Sequence, residues 1–301
     1  KLAEQRFYLV SAGAGERYDS DYLHRMLPGD RSVELRNVTT SRGTFVLAGP
    51  NARAMLAQLT DTPLDNANFP WLSGQVIEVG LATDVYALRV NFIGELGWEL
   101  HFPIEYANGL LEALFAAGRE FGIGMVGMRA MESMRIEKSY RMWGSDLTPE
   151  YTPFEAGLDR FVRMDKGEFI GKAALARQLV AGVPHRFVTL EVHGVTDADP
   201  LGNEPLFAQG SLVGRATAGC YGHVLGKSLA LAYVKPEHAA TGAEMEIEIL
   251  GERRKATVLG ESPYDPQSRR LRAWEERHPR CLRSLPPSCW RLATCATSGW
   301  S

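Results

Sequence analysis

The residues best suited to chemistry lie between Val90 and Phe102, read Val-Asn-Phe-Ile-Gly-Glu-Leu-Gly-Trp-Glu-Leu-His-Phe. A strand repeats every two residues, so Trp98, Leu100 and Phe102 share one face and Glu99 and His101 the other. An ionised carboxylate is an acceptor only. Its two oxygens match a flat group with two parallel N–H donors, such as a guanidinium or the aminopyrimidinone edge of a pterin. Residue type leaves two readings of Glu99 open: a solvated strand residue, the usual state of glutamate, or the anchor of such a ligand. A second cluster, Arg129, Glu132 and Arg135, repeats every three residues beside Met128, Met131 and Met134. It reads as a surface ion-pair ladder worth ~0.2–0.5 kcal/mol per pair, with the methionines as core. The sequence holds no nucleophile elbow, His-Glu-x-x-His, phosphate loop or metal-ligand spacing. Ala12-Gly13-Ala14-Gly15 lacks the third glycine of a dinucleotide fingerprint, Tyr18 standing in its place.

The elements that position these residues follow from periodicity and turn signals. Gly94 and Gly97 predict a tight turn joining a strand over Val85–Phe92 to one over Trp98–Phe102. Upstream, strands are expected at 6–11, 33–35, 43–48 and 75–79, with helices at 19–26 and 52–59. Downstream come helices at 106–121, 128–140 and 173–180. A long irregular segment over 143–157, carrying Pro149 and Pro153, is expected to line a site. Runs at 186–192, 211–217, 229–234, 244–250 and 254–259, split by glycines, predict a small antiparallel barrel.

At 301 residues the chain has room for about two domains. A net charge of −3 gives no basic surplus for nucleic acid or an acidic membrane surface, and no apolar run approaches a membrane span, so neither partner is expected. The four cysteines show neither metal-finger nor disulfide-framework spacing. That favours a reducing compartment: the cytoplasm, or the mitochondrial matrix in a eukaryote. The chain opens at Lys1 without a methionine, as if cut from a longer polypeptide, and composition shifts abruptly after Ala273. Residues 274–301 are therefore expected to be a disordered tail outside the domains.

Several segments together resemble the aminomethyltransferase (glycine cleavage T-protein) family in its flavin-linked branch. They are Gly94-Glu95-Leu96-Gly97-Trp98-Glu99-Leu100, Arg135-Ile136-Glu137-Lys138, Trp143-Gly144-Ser145-Asp146-Leu147, Pro153-Phe154-Glu155-Ala156-Gly157-Leu158 and Phe169-Ile170-Gly171-Lys172. The resemblance continues through residues 197–205 and 217–230. It implies an α+β fold of ferredoxin-like lobes followed by a small antiparallel β-barrel. The implied division is a folate-binding domain over 1–160, a linker over 161–185 and the barrel over 186–273.

In that branch a flavin domain oxidises an N-methyl amine, such as dimethylglycine or sarcosine, and the folate region captures the methylene unit as 5,10-methylenetetrahydrofolate. The implied cofactors are tetrahydrofolate here and FAD in an upstream domain, which would also be the chain's protein partner. Glu99 falls on the glutamate that holds the pterin. Phe92 falls where the family usually has a tyrosine, keeping an aromatic face but losing the phenol's hydrogen bond; Ile93 replaces a threonine, and Tyr221 falls near the site. The family's proton-handling aspartate would precede Lys1, so no catalytic residue is expected in this chain, and the piece is expected to be inactive alone. Met131 stands where the stand-alone glycine-cleavage members have an arginine, which favours the flavin-linked branch. The alternatives are the aminomethyltransferase of glycine cleavage, which needs a lipoyl carrier protein, and a non-catalytic folate-binding factor of iron–sulfur assembly. Lys166-Gly167-Glu168 lacks the cysteine of the latter's motif.

Overall fold

The computed structural model describes residues 1–272. They divide into two compact units: residues 1–91, 95–125 and 269 onward form the first, residues 92–94 and 126–268 the second.

In the first unit, helix α1 (Glu16–Met26) precedes β1 (Arg42–Ala48), α2 (Ala52–Leu56), β2 (Gly74–Val79), β3 (Ala82–Leu88), β4 (Gly97–Pro103) and α3 (Ala107–Gly118). The strands make an antiparallel sheet in the order β1-β4-β3-β2. Alternation decides which face is dry. Leu47, Ile77, Val85, Ala87, Trp98, Leu100 and Phe102 form one core with Met55 and Leu56 of α2 and Leu110 and Leu114 of α3. The opposite face carries Glu99, set beside Val46 of β1 and Leu88 of β3, and His101, set beside Thr44 and Tyr86.

Two sequence expectations fail in this unit. Residues 6–11 and 33–35 are not strands, because no neighbouring backbone offers them a ladder; the first run has only an isolated bridge between Ala3 and Arg6, and Tyr8 finds side-chain partners on the sheet instead. The turn between β3 and β4 is not tight either. Pairing stops at Leu88 opposite Glu99, leaving residues 89–96 as the connection. The two glycines are needed for different reasons. Gly94 sits at φ +79°, and a Cβ there would collide with the Lys138 side chain. A Cβ on Gly97 would lie 2.5 Å from the Leu47 carbonyl oxygen across the strand pair.

In the second unit, α4 (Met128–Glu137) and α5 (Lys172–Ala181) precede β5 (Arg186–Val192), β6 (Pro205–Ala208), β7 (Ser211–Gly222), β8 (Lys227–Val234), β9 (Glu244–Ile249) and β10 (Glu252–Leu259). The strands close as β10-β5-β8-β7-β6-β9. Alanines 216, 230 and 232 are fully buried with Leu190, Ile247 and Val258, the small side chains suiting a narrow interior. Strand β6, Pro-Leu-Phe-Ala, is only four residues long and opens on a proline, which is why the sequence pattern passes over it. Helix α4 packs Ile136 against Ala218, Leu229 and Leu231. Its expected polarity is inverted at both ends: Met128 is 77% exposed, whereas Arg135 is fully buried. Two carboxylates, described below, make that burial tolerable.

The chain then returns to the first unit with α6 (Arg269–Arg272), which buries Leu271. The Arg89 guanidinium, also buried, donates to the carbonyls of Phe69, Leu271 and Arg272 at 2.5, 3.4 and 2.9 Å. Burial, helped by the charge of Arg53, pushes its pKa down to about 10. The expected tail, 274–301, lies outside the described residues.

Candidate functional site

Glu99 sits on the wet face of β4 with its side chain about a quarter exposed. Its Oε2 lies 3.3 Å from Nε2 of His101, two residues along the same face. His101 is buried, and its Nδ1 lies 3.2 Å from the Tyr8 hydroxyl and 3.1 Å from Thr44 Oγ1. The Tyr8 ring stands edge-on to both Tyr86 and His101. Arg42 lies 3.7 Å over the Tyr86 ring and donates to the carbonyls of Asp84 and His101 at 2.8 and 3.2 Å, and to the Asp84 carboxylate. Arg6 donates to the Tyr86 hydroxyl at 3.3 Å. Burial pushes the Tyr8 phenol upward, Arg42 opposing it, so Tyr8 stays a protonated donor at neutral pH.

Glu99 therefore has one oxygen engaged, and Oε1 takes no hydrogen bond among the described residues. In the neighbouring strands it is flanked by Val46, 57% exposed, and Leu88. A carboxylate oxygen seeking a donor between apolar side chains fits a flat ring with an N–H edge.

The other two expected site residues belong to the second unit. Phe92 stacks on Tyr140, centroids 6.0 Å apart and planes 23° from parallel. Tyr221, 43% exposed on β7, stands edge-on to His223 at 5.2 Å, while its carbonyl accepts from the Ser133 hydroxyl at 2.8 Å. No ring contact joins Phe92 to Tyr221 among the described residues.

Around α4 the structure shows what periodicity could not. Arg135 donates to the Asp146 carboxylate at 2.5 Å, with both side chains fully buried, and to both oxygens of Glu132, at 3.0 Å from Nε and through Nη2. Burial alone would lower the Arg135 pKa, but these two carboxylates more than offset it and the net shift is upward. This is an interior ion network, not the expected surface ladder; the one hint in the sequence was that Arg135 opens the Arg-Ile-Glu-Lys segment. Asp146 also accepts from the Met142 amide at 2.9 Å and from the Thr217 hydroxyl.

Glu137, buried, accepts the amides of Val224 and Leu225 at 2.8 and 2.9 Å; desolvation raises its pKa, those bonds opposing. Lys138, buried as well, donates to the carbonyls of Asp265 and Tyr264 at 2.8 and 3.2 Å. Part of the irregular 143–157 segment is also packed inward, with Tyr151 stacked 3.6 Å from Tyr233 and the Tyr233 hydroxyl donating to the Asp146 carbonyl. Among the described residues no group of three His, Cys, Asp or Glu side chains could hold a metal ion, and no helix is long and apolar enough to cross a membrane.

A helix-backed antiparallel sheet with a carboxylate on its open face, and a unit built on a closed six-stranded barrel, define an aminomethyltransferase-type protein. The chain belongs to the aminomethyltransferase (glycine cleavage T-protein) family: residues 1–166 match the GCVT N-terminal domain and residues 185–265 the glycine cleavage T-protein C-terminal barrel domain. It is 37% identical over 257 residues to dimethylglycine dehydrogenase of Mus musculus, matching 85% of this chain but only 29% of that protein's length. To the aminomethyltransferase of Moorella thermoacetica it is 35% identical, over 84% of this chain and 68% of that one. The crystal structure of glycine cleavage system aminomethyltransferase T from Bartonella henselae superposes with a TM-score of 0.71 at 26% identity, over 84% of this chain and 67% of that one.

Proposed function

We propose that the chain is the tetrahydrofolate-binding, one-carbon-transfer part of a flavin-dependent dehydrogenase acting on an N-methyl amine, dimethylglycine or sarcosine. The observation that carries this reading is Glu99, a carboxylate held by one oxygen with the other free between apolar neighbours. Tetrahydrofolate, when bound, supplies the two nitrogens that take up a methylene unit. The chain's own residues bind and orient: Glu99 accepts from the N–H edge of the pterin, Phe92 offers a ring face but no hydroxyl, and Tyr221 lines the site. On this reading the proton-handling carboxylate and the flavin domain belong to a longer polypeptide, consistent with the length of the mouse relative. The division into residues 1–160, a linker over 161–185 and a barrel over 186–273 is proposed with it.

The test is calorimetric titration of the 301-residue chain with 5-formyltetrahydrofolate. Losing a charge-assisted hydrogen bond in Glu99→Ala costs about 1.5–3 kcal/mol, roughly a 10- to 150-fold weaker Kd. Equal affinity of parent and variant removes the anchor role. The second reading, an aminomethyltransferase of glycine cleavage, is favoured by the match to most of the Moorella protein. Against it stands Met131, where the resemblance calls for an arginine. Methylene transfer from a loaded lipoyl carrier protein, absent with an N-methyl amine and a flavin domain, would decide for it.

A further inference from the structure

The contacts on the open sheet face run in one direction. An ionised Glu99 can only accept, so Nε2 of His101, 3.3 Å from its Oε2, must carry the ring proton. In the neutral ring the other nitrogen, Nδ1, is then an acceptor with a single in-plane lone pair, and the Tyr8 hydroxyl at 3.2 Å or the Thr44 hydroxyl at 3.1 Å donates to it. The reverse tautomer would point a lone pair at a carboxylate. Buried His101 is walled by Tyr8, Thr44 and Tyr86, and its backbone carbonyl accepts from Arg42, so the ring has little room to turn. Side chains that grip a ligand from a partly wet strand need such support, since a free glutamate samples several rotamers and loses that freedom on binding.

From this geometry we infer that His101 is a positioning residue: as the Nε2–H tautomer, with Nδ1 turned to the Tyr8 and Thr44 hydroxyls, it ties down Oε2 of Glu99 and leaves Oε1 aimed at the ligand. The inference rests on the reading of Glu99 as the pterin anchor and deepens it. Recognition of the folate edge thereby reaches back, through His101, to Tyr8 in the irregular segment before α1.

Two measurements on the 301-residue chain test it. In two-bond 1H–15N spectra of histidine-labelled protein, His101 is expected as the Nε2–H tautomer with Nδ1 unprotonated, and Glu99→Gln is expected to shift the Nε2 proton. An Nδ1–H tautomer overturns the inference. In titrations with 5-formyltetrahydrofolate, His101→Gln, whose amide can reach Glu99, should bind within about threefold of the parent. His101→Asn, which keeps a group at the Nδ1 position but falls short of Glu99, should bind at least tenfold more weakly at unchanged Tm. If Glu99→Gln binds like the parent, the anchor reading fails and the inference with it. If Glu99→Gln weakens binding while His101→Asn does not, the anchor stands and the role of His101 is refuted. Equal losses in both His101 variants, with a lowered Tm, mark a merely structural histidine and refute it too.

Discussion

Replacing Arg135 by methionine separates two accounts of the same residue by an order of magnitude. Were Arg135 part of an exposed i,i+3 ladder, its loss would cost ~0.2–0.5 kcal/mol per pair. In the structure the guanidinium and the Asp146 carboxylate are both fully buried and 2.5 Å apart, and Glu132 closes on the other side. Methionine fills much of the volume but leaves Asp146 charged in the interior, with only the Met142 amide, the Thr217 hydroxyl and the more distant Ser145 hydroxyl to hold it. Breaking one side of a buried pair costs about 3–5 kcal/mol. For a protein of this size that is a fall in Tm of roughly 6–20 °C. Urea unfolding followed by circular dichroism measures it at pH 7, and the double replacement Arg135→Met/Asp146→Leu should recover part of the loss, since no unpaired charge then stays behind. A single-variant loss below about 1 kcal/mol would refute the argument.

Other predictions bear on separate parts of the molecule. Burial raises the pKa of Glu137 above its ordinary 4.5, so its neutral form favours the folded state below pH 4.5 and that contribution is lost as pH rises through the folded pKa. In Glu137→Gln, which keeps an acceptor for the Val224 and Leu225 amides, stability should gain on the parent from pH 4 to 7; urea midpoints across that range give the comparison. Gly94→Ala, with its positive φ and its collision with Lys138, and Gly97→Ala, against the Leu47 carbonyl, should each destabilise by about 1–3 kcal/mol. Gly109→Ala, in α3 with open space around the new Cβ, should be neutral or stabilising by up to ~1 kcal/mol; Tm ranks all three.

Legibility followed the range of the signal. The period-two alternation of β4 placed Trp98, Leu100 and Phe102 in the core and Glu99 with His101 opposite, because pleating is local. Five of the six barrel strands stand where glycine-split apolar runs put them. What failed depends on distant partners. Tyr8 reads as part of a strand but makes its hydrogen bond with His101, 93 positions away. Arg135 reads as surface because nothing near it in sequence announces Asp146 as a buried counter-ion eleven residues on. The link between His101 and Glu99 was half visible: their shared face follows from spacing, but the hydroxyl beside Nδ1 comes from Thr44, brought opposite His101 by the register of β1 and β4.

The route of the chain has a consequence for synthesis. It leaves the first unit at Phe92, returns at Glu95, leaves again at Val126 and comes back at Arg269. The carbonyl acceptors of buried Arg89, on Leu271 and Arg272, are thus translated some 180 residues after the arginine itself. A nascent chain emerging N-terminus first cannot finish this half before nearly all of the barrel has left the ribosome, so the half begun first is among the last to close. Cutting the gene between the two family domains would leave Arg89 with the Phe69 carbonyl as its sole described acceptor and the sheet without its final helix.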